Sequence, residues 1–226
     1  MRHIVLSCII LLATMNGFSQ SVTNPNYGLK TPKTLEIVRV DFGEDATVVW
    51  LTLTSDINNA FFCIDRETYL RKPDGSRLKM TGLKGLPNCP STYRFKKPGE
   101  KVAFSITFPA TGVLPWFSVV EQCAGGCMAV YGIVTDANLN SDLTKAYALA
   151  DRGDNAVAYR LFEDIITRTD TLNLGIEGAV YTNLIILDRK AGRLETARSW
   201  YDRMMTSDTP DLAKYIDNLR LQGVSY

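Results

Sequence analysis

Between Thr34 and Thr135, apolar and polar positions trade places with a period near two. Val102, Phe104, Ile106 and Phe108 share one side of a run whose intervening residues are small or polar. That is the pattern of a half-buried strand. Leu35, Ile37 and Val40 against Glu36, Arg39 and Asp41 alternate less regularly. Ala46 to Thr54 is rich in β-branched residues and carries Trp50. Tyr69-Leu70 and Leu78–Met80 flank Lys72-Pro73-Asp74-Gly75-Ser76. Pro there presets φ and Gly accepts a positive φ, which predicts a hairpin turn. Trp116–Val120 and Met128–Val134 complete the set. About seven or eight short strands with regular turns predict an antiparallel β-sandwich over residues 34–135. Trp50, Phe61, Phe104, Phe108, Trp116 and Tyr131 are expected in its core.

From Ser141 the apolar period lengthens to about 3.6, the spacing of helices. Ser141 or Asp142 is the expected cap of a first helix reaching Arg152, with Gly153 turning the chain. Further helices are expected over 154–167, 176–191 and 194–205, with a polar loop at Thr169–Leu174. Pro210 suits the first turn of a fifth, ending before Gly223. Gly153, Ala158 and Phe162 recur as Gly192, Ala197 and Tyr201, each 39 residues further on. A recurrence of that length is how stacked helical hairpins appear in a sequence.

The second copy is the clearer one. In the stretch Ala179–Met204, Tyr181, Leu184, Gly192, Leu194, Ala197 and Tyr201 stand at the motif places of a tetratricopeptide repeat, which this segment resembles. Ile185 departs from the family's usual Gly and Asp188 from a usual aromatic; the first copy keeps Ala146, Gly153, Ala158 and Phe162 but has Lys145 for Leu. The resemblance covers about 80 residues and implies a short array of helical hairpins. Two hairpins and a closing helix are few for a free solenoid, so the array is expected to lean on the sandwich or on a partner. By position, Tyr147 and Ala150 in the first copy and Asn183, Ile186, Arg189 and Lys190 in the second would line the family's concave groove, which implies a protein or peptide partner. Leu143 and Tyr147 replace the Lys and Asn of the family's carboxylate clamp, so no such clamp is implied. The strand half is similar to immunoglobulin-like sandwiches. Phe117–Glu121 followed by Tyr131–Val134 resembles the closing strands of small sandwich domains in exported bacterial proteins.

The fold expected is therefore multidomain, all-β followed by all-α: an immunoglobulin-like antiparallel sandwich, then a tetratricopeptide-like array of about five helices. The expected divisions are a leader at 1–19, an extension at 20–33, the sandwich at 34–135, a linker at 136–140, the helical domain at 141–222 and a tail at 223–226. The leader has a short basic start, Met1-Arg2-His3, then an apolar run from Ile4 to Met15, then Gly17-Phe18-Ser19. That is a secretory signal pattern with cleavage expected near Ser19. Its apolar run is short of the roughly 20 residues a membrane-spanning helix needs, so stable membrane insertion is not expected. A periplasmic, extracellular or cell-surface location is.

Charge and cysteines narrow the chemistry. The only histidine, His3, lies in the leader, so histidine-dependent triads and imidazole metal sites are excluded from the mature chain. Arg2 is the only charged residue before Gln20, which leaves basic and acidic residues equal in number beyond it. Residues 20–135 carry a net +3 and residues 136–226 a net −3. No basic stripe points to nucleic acid. Cys63, Cys89, Cys123 and Cys127 read as two disulfides, for which three connectivities exist. Cys123–Cys127 across Ala124-Gly125-Gly126, with Cys63–Cys89, is the favoured pattern; a four-thiolate zinc site has the wrong spacing. Arg152-Gly153-Asp154 falls on the inter-helix turn, and Asp136, Asn138, Asn140 and Asp142 lack the Gly and Glu of a calcium loop. No catalytic residue, cofactor site or metal site is expected. The sequence reads as a non-enzymatic binding or adaptor protein, or alternatively as a structural subunit of an envelope or surface assembly.

Overall fold

A computed structural model describes residues 20–122, 127–169 and 173–226. The leader segment and Cys123 fall outside them. Among the described residues there are twelve strands followed by five helices. Two five-stranded antiparallel sheets form the first half. One contains β1 (Gln20–Thr23), β3 (Leu35–Phe42), β4 (Ala46–Thr54), β10 (Lys101–Pro109) and β8 (Gly82–Lys84), in the order β1-β3-β4-β10-β8. The other contains β2 (Leu29–Thr31), β12 (Ala129–Val134), β11 (Trp116–Val120), β6 (Tyr69–Arg71) and β7 (Arg77–Lys79), in the order β2-β12-β11-β6-β7. A small side sheet pairs β5 (Phe61–Phe62) with β9 (Tyr93–Arg94). The two large sheets enclose one apolar core in a sandwich-like arrangement, with Val49, Leu51, Ile106 and Phe108 of one facing Phe117, Val119, Val130 and Ile133 of the other. Phe42 and Phe117 meet edge to face across it, centroids 6.2 Å apart. Cys63 and Cys89 are joined by a disulfide, as expected.

The stretch expected as an N-terminal extension supplies a strand to each sheet, β1 and β2. Of the aromatics expected in the sandwich core, Phe104 and Phe108 are in it; Trp116 is buried instead against Gly175 on the helix side, Tyr131 is half-buried, and Trp50 and Phe61 face outward. Val49, Leu51 and Leu53 turn inward, so the strict alternation of β4 puts Trp50 on the outer face, 37% exposed. Its indole donates to Asp41 at 2.7 Å and carries the Arg39 guanidinium 5.0 Å from the ring. Phe61, at the start of the two-residue β5, is 68% exposed.

The helices are α1 (Ala137–Asp151), α2 (Asn155–Thr169), α3 (Glu177–Lys190), α4 (Leu194–Thr206) and α5 (Leu212–Leu221). The first begins earlier than the spacing predicts. Asp136, not Ser141 or Asp142, is its cap, accepting from the Leu139 amide at 2.8 Å, so the stretch expected as a linker is its first turn. Pro210 lies two residues ahead of α5 and does not open it. Gly153 and Gly192 end α1 and α3 with φ of +86° and +75°, a conformation glycine adopts without a Cβ penalty. Their recurring partners Ala158 and Ala197 are both fully buried. The α3 helix is the centre of the array, packed against α2, α4 and α5 and buried on nearly every side. Asp188, the departure noted in the repeat pattern, is fully buried and paired with Arg193 at 2.6 Å; Arg193 also lies 5.0 Å from the Tyr159 ring. No helix among the described residues is long and apolar enough to cross a membrane.

Candidate functional site

The helices lean on the sheets through three sets of polar contacts and one buried ring. Asn26, between β1 and β2, donates its backbone amide to Asn140 Oδ1 at 2.7 Å, and its side-chain nitrogen donates to the Asn140 carbonyl and to Thr144 Oγ1, both at 2.9 Å. The Trp116 indole donates to the Asn173 carbonyl at 2.7 Å. Arg71 of β6 grips Asp211, the residue before α5, through both guanidinium nitrogens, and also donates to Ser118 Oγ at 3.2 Å. The Asp211 contact holds the Arg71 guanidinium above its usual range despite burial. Tyr215 of α5 is the ring, 1% exposed and wedged between Gly28 and Gly178. A Cβ on Gly28 would lie 1.9 Å from its hydroxyl, and one on Gly178 2.3 Å from its ring, so both positions need glycine.

Beside this junction lies a crevice of about 370 Å³. Asn26 to Leu29 form one wall, Tyr147 and Asp151 of α1 a second, and Thr182, Asn183 and Ile186 of α3 a third, with Tyr215 and Asn218 of α5 and its capping residue Gln222 closing it. Helical spacing explains the set: residues three or four apart share a face, so 179, 182, 183 and 186 form one stripe of α3, and 215 and 218 one stripe of α5 that the capping residue Gln222 continues. The lining mixes amides, phenols and aliphatic groups. Tyr147 packs its ring edge on Phe162 at 5.3 Å. Burial, with the Tyr27 phenol close by, pushes its hydroxyl well above the ordinary phenol range. Burial does the same to Tyr215, helped by Tyr147 and by the carboxylates of Asp211 and Glu177. The Tyr215 hydroxyl is buried without a hydrogen-bond partner, which is rare for a phenol.

Of the residues expected in the groove, Tyr147, Asn183 and Ile186 line this crevice together. Arg189 and Lys190 do not. The Arg189 guanidinium is directed to the Gly223 carbonyl at 3.5 Å and lies 5.9 Å from the Tyr226 ring. Ala150 is not in the lining either. The wall from Asn26 to Leu29, Asn218 of α5 and the capping Gln222 are not among the residues the sequence points to. Nothing in the local pattern shows that a short polar stretch before the first predicted strand crosses to the helices. Among the described residues no cluster of acidic, cysteine or histidine side chains is placed to hold a metal. The predicted pairing of Cys127 with Cys123 ends on a residue outside those described. No known protein family matches the chain, and no curated protein or solved structure matches it.

Proposed function

We propose that the chain is an exported, non-enzymatic binding or adaptor protein that takes a peptide segment of its partner in the crevice between sheets and helices. In this reading the sheets are an immunoglobulin-like sandwich and α1 to α5 a short tetratricopeptide-like array resting on it. The observation that carries the reading is the crevice. It is concave, walled by three helices and the loop leading into β2, and lined by amides and phenols, the chemistry of recognition. Asn218 and Gln222 make no side-chain hydrogen bond among the described residues, so their amides are available to a peptide backbone. Export is supported by the leader pattern at residues 1–19 and by the Cys63–Cys89 disulfide, which persists in oxidising compartments.

Selection of a displayed peptide library on the chain starting at Gln20 tests this. Selected peptides should lose about tenfold or more in affinity for Asn183→Trp, which fills the crevice, and bind Trp50→Ala unchanged. Equal binding to a folded Asn183→Trp variant would remove the crevice as the site. A structural subunit of an envelope assembly is the second reading. It is favoured by Leu194, 57% exposed, and Leu221, 85% exposed, on the helices. A large stable oligomer of the purified chain would select it.

A further inference from the structure

Three polar side chains of the crevice turn their donors into the protein, while the amides of Asn218 and Gln222 stay open. Thr182 Oγ1 donates to the Gly178 carbonyl at 2.7 Å and Asn183 Nδ2 to the Ala179 carbonyl at 2.8 Å. Asn26 Nδ2 is engaged by Asn140 and Thr144. What these groups keep for a ligand is chiefly oxygen, an acceptor. Charge points the same way. Asp151 is the only ionised residue in the lining, exposed and without an ion pair among the described residues. It is the last residue of α1, at the negative end of the helix dipole, and the neighbouring Arg152 side chain is drawn to Asp154 at 3.8 Å. Arg189 and Lys190 of α3 lie outside the lining, and Arg189 is held by Gly223 and Tyr226. The helical half as a whole carries a net −3. The Tyr215 hydroxyl, buried at the base of the crevice, has no partner.

We propose that the crevice recognises a primary ammonium group on a peptide, either a lysine side chain or a free N-terminus, with Asp151 as its counter-charge. An ammonium carries three donors and no acceptor, which complements the Asp151 carboxylate and the amide and hydroxyl oxygens of Asn183 and Thr182. The Tyr147 ring offers it an aromatic wall. A carboxylate or phosphate would meet Asp151 and no cation of the lining; the nearby Lys30, 5.0 Å from the Tyr27 ring, is already paired with Glu36. The proposal rests on the crevice being a binding site, as argued above, and adds the charge of what binds.

The test uses the ¹⁵N-labelled chain from Gln20 and four short peptides. Two carry an ammonium: acetyl-Gly-Lys-Gly-amide and uncapped Gly-Gly-Gly-amide. Two controls replace Lys by norleucine or Glu in the capped peptide. Amide shifts of the crevice residues are followed on titration. At least one ammonium peptide should bind about fivefold or more tightly than the norleucine peptide, the range an exposed charge pair supplies. The Glu peptide should be weakest, added salt should shrink the difference, and Asp151→Asn should erase it. Preference for the Lys peptide or the uncapped one identifies the source of the ammonium. If norleucine binds as well as both, or Asp151→Asn leaves the preference intact, the charge assignment is overturned while the crevice stands. If no peptide shifts the lining amides, both readings fall. Asp151 is exposed, so its variant folds, and thermal melting checks this.

Discussion

Replacing Gly178 by alanine sets two effects against each other. Gly178 lies in the first turn of α3, where on helix propensity alone alanine is favoured by about 0.5–1 kcal/mol. The added Cβ, however, would lie 2.3, 2.4 and 2.7 Å from Cδ2, Cε2 and Cγ of Tyr215. Carbon atoms in ordinary contact are about 3.5–4 Å apart, so the ring must retreat by about 1 Å. It has little room. The ring is buried in the cluster shared with Val180, Leu184 and Leu219, and its hydroxyl already rests against Gly28. Overpacking a filled site typically costs about 1–3 kcal/mol. The balance is a net loss of about 1–2 kcal/mol, or about 3–6 °C in Tm for a chain of this size. Urea denaturation should show a lower midpoint with an unchanged slope. In a Tyr215→Leu background the same alanine should be neutral or favourable, giving a coupling of about 1–3 kcal/mol. A Gly178→Ala variant more stable than the parent would refute the reasoning. It would mean that the ring is not held in place, and that the docking of α5 on α3 and β2 is loose.

Two further predictions concern the same frame. The Cys63–Cys89 disulfide closes a loop with a sequence separation of 26. Replacing both cysteines by serine should lower stability by about 3 kcal/mol through the freed unfolded chain, read as a lower urea midpoint; an unchanged midpoint would contradict it. Tyr147 and Tyr215 have hydroxyls raised above the ordinary 10.0, so below that pH both are neutral in the folded and the unfolded chain. Above it they ionise first in the unfolded chain, which then binds fewer protons, and stability falls by about 1.4 kcal/mol per pH unit for each. Tyr147→Phe should flatten that alkaline decline by about one proton's worth, and an unchanged slope would argue against the burial of its hydroxyl.

The strands legible from the sequence were those whose inward faces are continuous. Val102 to Phe108 shows its alternation because every second residue meets the core. The irregular run from Leu35 to Val40 has a physical cause. The register of β3 on β4 slips between Ile37 and Arg39, leaving Val38 bulged and outward, and the inward phase resumes at Val40. The strands missed, β1, β2, β5, β8 and β9, have two to four residues, too few for any period to show. The helices were legible because glycine turns and buried alanines repeat, although the start of α1 was not. Its cap, Asp136, stands in a row of polar residues in which Ser141 and Asp142 are equally good helix starts by composition. For the crevice, the helical faces were legible at Tyr147, Asn183 and Ile186, because facing follows from spacing. The opposite wall, Asn26 to Leu29, was not. It is set by tertiary pairing to β12, where the Gly28 amide donates to Tyr131 and the Asn26 carbonyl accepts from Val134.

That pairing bears on how the crevice would bind. A short helical array with an open face has to order itself when a ligand arrives, and the ordering reduces affinity. Here the segment that forms one wall is locked on both sides. It is hydrogen-bonded to β12 behind, and to α1 through Asn26 and Asn140 in front. The α5 wall is fixed by the Arg71–Asp211 pair and by the Tyr215 ring between two glycines. The Arg71–Asp211 contact is partly exposed and contributes little on its own. It matters because it acts with the ring on one short helix, holding both its start and its middle. The crevice is therefore shaped by contacts that a ligand does not have to make, which is the condition for recognition by a few amides and a single charge. Loosening the junction at Gly178 should accordingly weaken binding even though Gly178 itself is covered by Tyr215, whereas Asp151→Asn should change selectivity and leave stability alone. Those two variants separate the frame from the charge.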